Sequence, residues 1–404
     1  MSRSARGTRA AIASVATVAT VLGWANVAHS EPHAGVDSYL YRPAVDASGV
    51  FTLDGAEALE RYDLAFKLGL GLGYRPLALA VPGIGDDSDD PVLSYTLGVH
   101  MTLGFALTSR LALVLDTGVY RTDTQDGYGE RGRYDPSASA SSTGLISLRP
   151  LSNIDPSGGF EPQGLSGPLD ARAGFKYQIV SGETIDVAVL ALARLPFGED
   201  EMFLGDAGFV LSPRLAVEYA LDPARTRRVL LNLGAHIRER TVLQAYDPTS
   251  EMADDARAVL DVGSELSLGA GLSYRLGSRF NLAGETTLRL PLPSGLALGT
   301  CRLVDATRCS DLDDDDYFSG AGYGDLAAYL NAGGQLRTGP ETTLEFGLGL
   351  GLLGARGDRV RALLGVVWTP VPAGESTLLT GGDRDGDRNP DITDVCPEQA
   401  EDED

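Results

Sequence analysis

Strict alternation of apolar with small or polar residues over 62–74 is the feature that most limits how this chain can fold. In YDLAFKLGLGLGY, tyrosine, leucine or phenylalanine takes every second position, and Asp63, Lys67 and three glycines lie between them. A period of two places the two sets on opposite faces of a β-strand. A helix needs apolar spacings of three and four, and glycine destabilises it. The stretch is therefore predicted to be a strand with one apolar face.

The same alternation recurs along the chain and predicts an all-β protein of about twelve strands. Ordinary strands have about 5–6 residues, whereas strands that cross an outer membrane need roughly 9–11 at a tilt. Most of the predicted strands have the longer length. They lie near 62–75, 92–107, 110–121, 169–180, 184–195, 208–221, 228–240, 264–276, 279–291, 322–337, 341–353 and 358–369.

The lengths of the predicted connections alternate as well. The joins after even-numbered strands are short, whereas the joins after odd-numbered strands include 122–168, 241–263 and 292–321. Outer-membrane barrels combine short periplasmic turns, long outer loops and an even number of strands. We therefore predict a transmembrane antiparallel up-and-down β-barrel over 62–370, followed by a short acidic tail.

The leucine-rich faces of the strands are predicted to meet lipid, because Lys or Arg on the lipid side costs roughly 2–4 kcal/mol at the bilayer midplane. The opposite faces then line the lumen with charges of both signs. The predicted lumen-lining residues are Lys67, His100, Asp116, Arg172, Lys176, Asp186, Arg194, Glu218, His236, Arg238, Arg275, Glu285, Arg289, Glu345 and Arg361.

A second glycine ribbon, FGLGLGLLG at 346–354, satisfies G-x-G-x-x-G through Gly349, Gly351 and Gly354. A dinucleotide-binding loop requires a helix after the last glycine, but ARGDRVRALLGVVWTP predicts a turn and another strand. Both ribbons are instead predicted to flank the seam that closes the barrel, with their glycines inward. Such a bare wall either widens the lumen or lets another segment pack closely.

The first thirty residues have the pattern of an export signal. Arg3, Arg6 and Arg9 precede a short apolar run over 10–22, and cleavage is predicted before Glu31. The following stretch, 31–61, lacks strand alternation. It is predicted to be either a periplasmic lead-in or a plug folded into the lumen.

The remaining composition excludes some classes of function. A formal net charge of −23 argues against nucleic acid as a partner. Neither G-x-S-x-G nor H-E-x-x-H occurs, so no enzyme and no catalytic residue is predicted. Cys301 and Cys309 lie close together in a polar stretch of an exported chain, which predicts a disulfide between them.

The acidic tail carries the most specific motif, DRDGDRNPDITDVCPEQAEDED. Its oxygen-bearing residues fall at positions 1, 3, 5, 7, 9 and 12 of a twelve-residue loop, a spacing that suits calcium, with position 7 supplying its backbone carbonyl. The stretch from Asp383 to Pro397 resembles a thrombospondin type 3 calcium repeat, and 371–404 is predicted to be a linker with one such repeat. A solvated acidic linker is the alternative. The predicted calcium ligands are Asp383, Asp385, Asp387, Asn389, Asp391 and Asp394.

An export signal, a barrel and one acidic repeat together resemble the front part of OmpA-type outer-membrane proteins. In that family such repeats link a barrel to a peptidoglycan-binding domain. The stretch after Trp368 is too short for such a domain, so binding to peptidoglycan is not predicted for this chain.

Two functions remain as hypotheses. The first is a channel or transporter for small solutes in the outer membrane of a Gram-negative bacterium, with a calcium-binding tail in the periplasm. The alternative is a structural or adhesive scaffold that links the barrel to the envelope through that tail. In both, the expected partner is outer-membrane lipid, and small solutes are partners if the lumen is open.

Overall fold

The computed structural model describes residues 36–79, 91–124, 133–134, 148–149, 164–198, 205–206, 208–246, 256–299, 301, 308–317 and 321–370. No helix in these ranges is long and apolar enough to cross a membrane. The strands within them are β1 (Leu64–Ala78), β2 (Pro91–Ala106), β3 (Leu111–Thr124), β4 (Arg133–Tyr134), β5 (Leu148–Arg149), β6 (Gly164–Ser181), β7 (Ile185–Leu195), β8 (Val210–Ala220), β9 (Arg227–His236), β10 (Thr241–Tyr246), β11 (Ala256–Val262), β12 (Glu265–Leu276), β13 (Phe280–Pro291), β14 (Ala327–Arg337), β15 (Thr342–Leu353) and β16 (Val360–Trp368). Three short 3-10 helices lie at Ser294–Leu296, Cys309–Asp311 and Asp314–Asp316.

Twelve of the described strands close into an antiparallel barrel, in the order β1-β16-β15-β14-β13-β12-β9-β8-β7-β6-β3-β2. The seam joins β1 to β16, with Phe66 opposite Trp368 and Tyr74 opposite Val360. Strand β16 pairs on its other edge with β15. The predicted twelve-strand up-and-down barrel is therefore confirmed, and the two glycine ribbons flank the closing strand as the sequence indicated.

Some strand boundaries differ from the prediction. Strand β6 begins at Gly164 and not near 169, and β14 begins at Ala327 and not near 322. The long connection predicted over 241–263 is present, but it contains a hairpin that was not predicted, because β10 and β11 pair there, with Thr241 opposite Val262. These short strands also belong to a separate sheet of order β11-β10-β5-β4. Their alternation is too brief to distinguish a strand from a loop, and pairing with distant residues decides it.

The two ends of the barrel differ, as the connection lengths predicted. One end, called the turn end, carries the tight connections 107–110, 182–184, 221–226, 277–279 and 338–341, and the other is called the loop end. The turn after β8 is held by Asp222, whose carboxylate accepts hydrogen bonds from the backbone N–H groups of Thr226 and Arg227, each at 2.9 Å. The bond from the Thr226 backbone is the main cause that lowers the pKa of Asp222 to about 2.

At the loop end, the connection between β13 and β14 packs on the β10–β11 hairpin. A disulfide joins Cys301 to Cys309, with Cα atoms 5.4 Å apart, and Cys309 is buried against Val242 and Ala258 of the hairpin. Nearby, the Tyr317 hydroxyl donates a 2.6 Å hydrogen bond to Asp261. Burial and then this bond to a carboxylate raise the pKa of Tyr317.

The outer face of the barrel is apolar. Leu68, Leu70 and Leu72 of β1 and Leu348 and Leu350 of β15 are exposed, while the residues that alternate with them face inward. A continuous exposed apolar band of this kind is stable against lipid and not against water. The arrangement is that of a membrane-spanning barrel.

Replacement of Leu348 by Arg tests this placement. Leu348 lies in the middle of β15 and is 67% exposed on the outer face. We expect Leu348→Arg to lower the free energy of unfolding by about 2–4 kcal/mol, because its guanidinium would enter hydrocarbon. The control Leu353→Arg, at the end of the same strand, should cost only about 0–1 kcal/mol. Urea unfolding in lipid vesicles measures both, and equal losses would contradict the placement.

Candidate functional site

The interior of the barrel is occupied by residues 36–59, here called the lumen segment. Val36, Tyr39, Val50, Phe51 and Leu53 are all at most 2% exposed. The segment touches strands on several sides of the barrel, and its end passes the turn end before β1 begins. Of the two placements predicted for 31–61, the described part of the segment lies inside the barrel.

One wall carboxylate binds the backbone of the lumen segment. The backbone N–H groups of Thr52 and Leu53 each donate to the Glu285 carboxylate at 3.2 Å. Asn331 on β14 donates to the same carboxylate at 2.7 Å. Backbone N–H groups inside the barrel require acceptors. Thr52 finds its acceptor on Glu285, and the Leu53 N–H donates both to Glu285 and to the Val50 carbonyl, the latter at 2.8 Å. Glu285 therefore anchors the segment to β13.

Acidic side chains of the lumen segment pair with basic side chains on three neighbouring strands. The basic residues belong to β6, β7 and β8, so one sector of the wall holds the segment by charge. Removal of one partner from such a buried pair leaves an uncompensated charge, which is costly. The pairs are Asp46 with Lys176 at 2.8 Å, Asp37 with Arg194 at 2.9 Å, and Asp54 with Arg214.

Elsewhere the wall is bare glycine, and the large side chains of the lumen segment occupy the space. A Cβ atom on Gly98 would lie 2.6 Å from the Tyr39 hydroxyl. A Cβ atom on Gly347 would lie 2.8 Å from Phe51 Cε1. Both distances are too short for real contacts, so any other residue there would displace the segment. Of the two roles predicted for inward glycine, close packing of another segment is the one observed.

Aromatic contacts hold the part of the lumen segment around Tyr39 and Tyr41. Tyr39 stacks on His100 with ring centroids 5.2 Å apart, and its hydroxyl lies 3.0 Å from His100 Nε2. Tyr41 meets the same imidazole edge-on, and the Arg361 guanidinium lies 4.9 Å from the centre of the Tyr41 ring. The imidazole therefore serves as a packing surface for two tyrosines.

Charged side chains also fill the lumen near the loop end. Arg356, in the turn between β15 and β16, is fully buried and pairs with Glu265 and Asp325. A second network runs from Arg238 to Asp206, Arg194 and Asp37. These networks tie the loop-end connections to the wall and to the lumen segment.

The predicted lumen-lining residues are placed as follows. Arg289 is half-buried and donates to the Leu40 carbonyl at 3.3 Å. Arg275 faces inward at the turn end, where it is exposed. The others are buried inside the barrel: Lys67, His100, Asp116, Arg172, Lys176, Asp186, Arg194, Glu218, His236, Arg238, Glu285, Glu345 and Arg361.

Sequence reasoning missed several residues of this site. Arg214 shares the parity of Glu218 on β8, and that parity was a sufficient signal for an inward position. Arg356 lies in a turn, where strand parity says nothing. The acids of the lumen segment carried no signal, because their partners are far away in the sequence: Asp54 and Arg214 are separated by 160 positions.

The predicted calcium ligands Asp383, Asp385, Asp387, Asn389, Asp391 and Asp394 lie outside the described residues. So does the predicted signal over 1–30. Within the described ranges, no group of three or more His, Cys, Asp or Glu side chains is placed to hold a metal ion.

Two cavities lie beside the lumen segment. The larger, of about 450 Å³, opens near the turn end between Asp46, Glu57 and the wall residues Lys176 and Arg228. The smaller, of about 50 Å³, lies deeper, between the segment and the wall. The strand pairing, the apolar outer face and the charged lumen together define a membrane-spanning β-barrel with a filled interior.

Comparison with known proteins gives no family for this chain: no family model and no curated protein matches it. Solved structures with similar folds include an outer membrane channel from Pseudomonas putida F1, at 14% identity, covering 78% of this chain and 98% of that one, with a TM-score of 0.48. The match to the NanC porin has 9% identity and covers 76% of this chain and 100% of the porin chain, with a TM-score of 0.39. The Pseudomonas putida toluene transporter TodX is 8% identical, covering 83% and 99%, with a TM-score of 0.36.

Proposed function

We propose that this chain is an outer-membrane channel for small solutes, and that the lumen segment is a plug whose displacement opens it. The observation that carries the proposal is the chemistry of the wall behind the segment. That wall presents Lys176, Arg194, Arg214 and Glu285, groups that water solvates well. Such a wall remains stable when hydrated, whereas an apolar core would not.

The number of strands supports the same function. Side chains just fill the interior of a barrel of about eight strands, and larger barrels enclose a cavity or a passage. This barrel has twelve strands, and several inward positions are glycine. Its interior is full because a separate piece of chain lies in it, held by hydrogen bonds and ion pairs.

The proposed location is the outer membrane of a Gram-negative bacterium. The tight turns then face the periplasm and the long connections face outward, as in barrels of this type. The chain enters β1 and leaves β16 at the turn end, so the acidic tail begins on the periplasmic side in this orientation.

A scaffold barrel is the second candidate, and the filled lumen is the observation that favours it. Buried ion pairs bind the lumen segment on one sector of the wall, and close packing on glycine binds it on others. A barrel closed permanently in this way would act through its loops and its tail, and it would pass no solute in any state.

Single-channel recording separates the two functions. The refolded chain 31–404 is placed in a planar bilayer, with and without millimolar calcium, and heat-modifiable migration on a gel shows that it is folded. A channel is expected to be closed most of the time and to open in discrete current steps. A scaffold is expected to stay silent in this form, because its lumen segment never leaves the barrel.

We further propose that the tail binds one calcium ion through Asp383, Asp385, Asp387, Asn389, Asp391 and Asp394. The spacing of these oxygen donors supports the proposal. The resemblance to a thrombospondin type 3 repeat and to OmpA-type proteins remains a prediction from the motif.

Calcium titration of the refolded chain tests the tail. We expect a dissociation constant of about 0.1–1 mM, the range of extracellular calcium modules. The double variant Asp385→Asn with Asp387→Asn should bind at least about tenfold more weakly, because two charged ligands are lost. The control Asp402→Asn lies beyond the loop and should bind as the parent chain does. An equal loss in the control would mean diffuse attraction to acidic residues and no defined site.

A further inference from the structure

The smaller cavity in the lumen has an unusual lining. Six arginines surround it, five from the wall and one from the lumen segment, and none of the described residues that line it is Asp or Glu. Ser212, Asn232 and His236 supply further polar groups. The six arginines are Arg42, Arg172, Arg194, Arg214, Arg289 and Arg361.

The carboxylates that pair with these arginines bind them from outside the cavity, and some are shared. Asp37 pairs with both Arg42, at 3.0 Å, and Arg194, at 2.9 Å. Glu265 pairs with Arg356 and is 3.7 Å from Arg289. Arg194 has a second partner in Asp206, so the carboxylates lie around the cavity, and the cavity itself receives no negative group.

Several guanidinium donors at this cavity lack a partner within the described chain. They are Nε and Nη1 of Arg42, Nε of Arg194 and Nη2 of Arg361. Each of these side chains is at least nine-tenths buried. A buried charged donor without an acceptor is costly, so the site favours a ligand that accepts several charge-assisted hydrogen bonds.

The size and geometry of the site select the class of ligand. The cavity of about 50 Å³ has room for about three to five waters, at roughly 10–15 Å³ each, or for one compact anion. Planar guanidinium groups match the paired oxygens of carboxylate and phosphate. A spherical halide also accepts charge-assisted hydrogen bonds, but it lacks that directional match.

We propose that this cavity binds one small oxyanion, of the size of acetate or phosphate. Arg42 belongs to the lumen segment and the other five arginines belong to the wall, so the anion bridges the two and holds the segment in the barrel. The inference goes beyond the channel proposal, since the site binds its anion whether or not the barrel ever conducts.

Equilibrium dialysis tests the site without any measurement of current. The chain 31–404 is refolded in detergent, in a buffer low in competing anions, together with radiolabelled acetate or phosphate, because the cavity is buried. We expect one bound oxyanion per chain with a dissociation constant below about 1 mM. The thermal unfolding midpoint should rise with the same anion, since a ligand that binds only the folded state stabilises it.

Arginine variants locate the binding. Arg361→Gln should weaken it at least about tenfold, because one charged donor is lost. Arg289→Gln is the second variant, since its longer ion pair contributes less to folding. The control Arg228→Gln changes a wall arginine that pairs with Glu218 and does not line the cavity. Heat-modifiable migration verifies that each variant is folded.

The three variants decide whether the oxyanion binds in this cavity. Retention of oxyanion binding by Arg228→Gln, together with loss of binding in Arg361→Gln or Arg289→Gln, supports the site. The proposal is overturned if no oxyanion binds saturably up to about 10 mM, if unlabelled chloride competes as well as either oxyanion, or if all three variants lose binding equally. The first of these results would mean that the cavity holds only water.

Discussion

Deletion of residues 31–55 is expected to turn a mostly closed barrel into one that conducts steadily. The deletion removes Tyr39, Phe51 and Leu53 from the lumen, whereas the first strand begins only at Leu64. The exposed wall is polar, so water fills the space. We expect the single-channel conductance to rise by about tenfold or more, because twelve strands enclose more than their own side chains fill. Planar-bilayer recording measures it.

A second variant distinguishes the removal of chain from the removal of its contacts. Replacement of 36–55 by a Gly/Ser sequence of equal length keeps the chain but removes the side chains that bind the wall. Such a chain is a flexible coil, and we expect rapid flickering between open and blocked levels. Unchanged conductance in both variants, with heat-modifiable migration intact, would contradict a displaceable plug and would favour the scaffold.

Replacement of Glu285 by Ala is expected to release the lumen segment without removing it. The change removes the Glu285 acceptor from the N–H and the hydroxyl of Thr52, at a cost of about 1–3 kcal/mol, while the Leu53 N–H keeps the Val50 carbonyl. Since 1.4 kcal/mol is tenfold, the released population should rise between about fivefold and 150-fold. Chymotrypsin cleavage after Phe51, identified by mass spectrometry, measures it, because Phe51 is buried in the closed state and cleavage follows the open population.

Two controls accompany Glu285→Ala. Glu285→Gln keeps a carbonyl acceptor at the same place and should raise the rate of cleavage less. Glu218→Ala removes another buried wall carboxylate, whose bonded partners are Arg225 and Arg228 and not the lumen segment. Equal cleavage after Phe51 in Glu218→Ala would show that any weakening of the barrel exposes the segment, and the anchoring role of Glu285 would be wrong.

Different interactions hold the lumen segment on its two sides. On β6 to β8 it is held by ion pairs, which salt and water weaken only where they reach them. On the glycine faces it is held by shape, because Tyr39 and Phe51 occupy positions where the wall has no side chains. The anion site lies between the segment and the charged sector, so its occupancy is expected to favour the closed state.

The barrel itself could be predicted because its signal is local. Alternation such as Leu68, Gly69, Leu70 fixes which face each residue takes, and it does so without knowledge of the partner strand. The seam followed from the same information, since the first and last strands of a barrel must pair. The hairpin of β10 and β11 was missed because six or seven residues of weak alternation fit a loop equally well.

The contents of the lumen could not be predicted in the same way. Asp54 meets Arg214, and Thr52 meets Glu285, across 160 and 233 positions of sequence, and no local pattern encodes such pairs. Parity placed Arg172, Arg194, Arg289 and Arg361 on the inner face, but not around one cavity. Their convergence depends on strand tilt, register and the course of the lumen segment.

The sequence by itself determined the class of fold, the number of barrel strands, the face of each residue and the two unequal ends, because period-two alternation and loop length are properties of the chain alone. The tertiary structure decided what fills the barrel. It placed residues 36–59 against the glycine walls, paired three acids of that segment with basic residues of β6 to β8, and gathered six arginines around one cavity. Those contacts join positions far apart in the chain, and only closure of the barrel brings them within bonding distance.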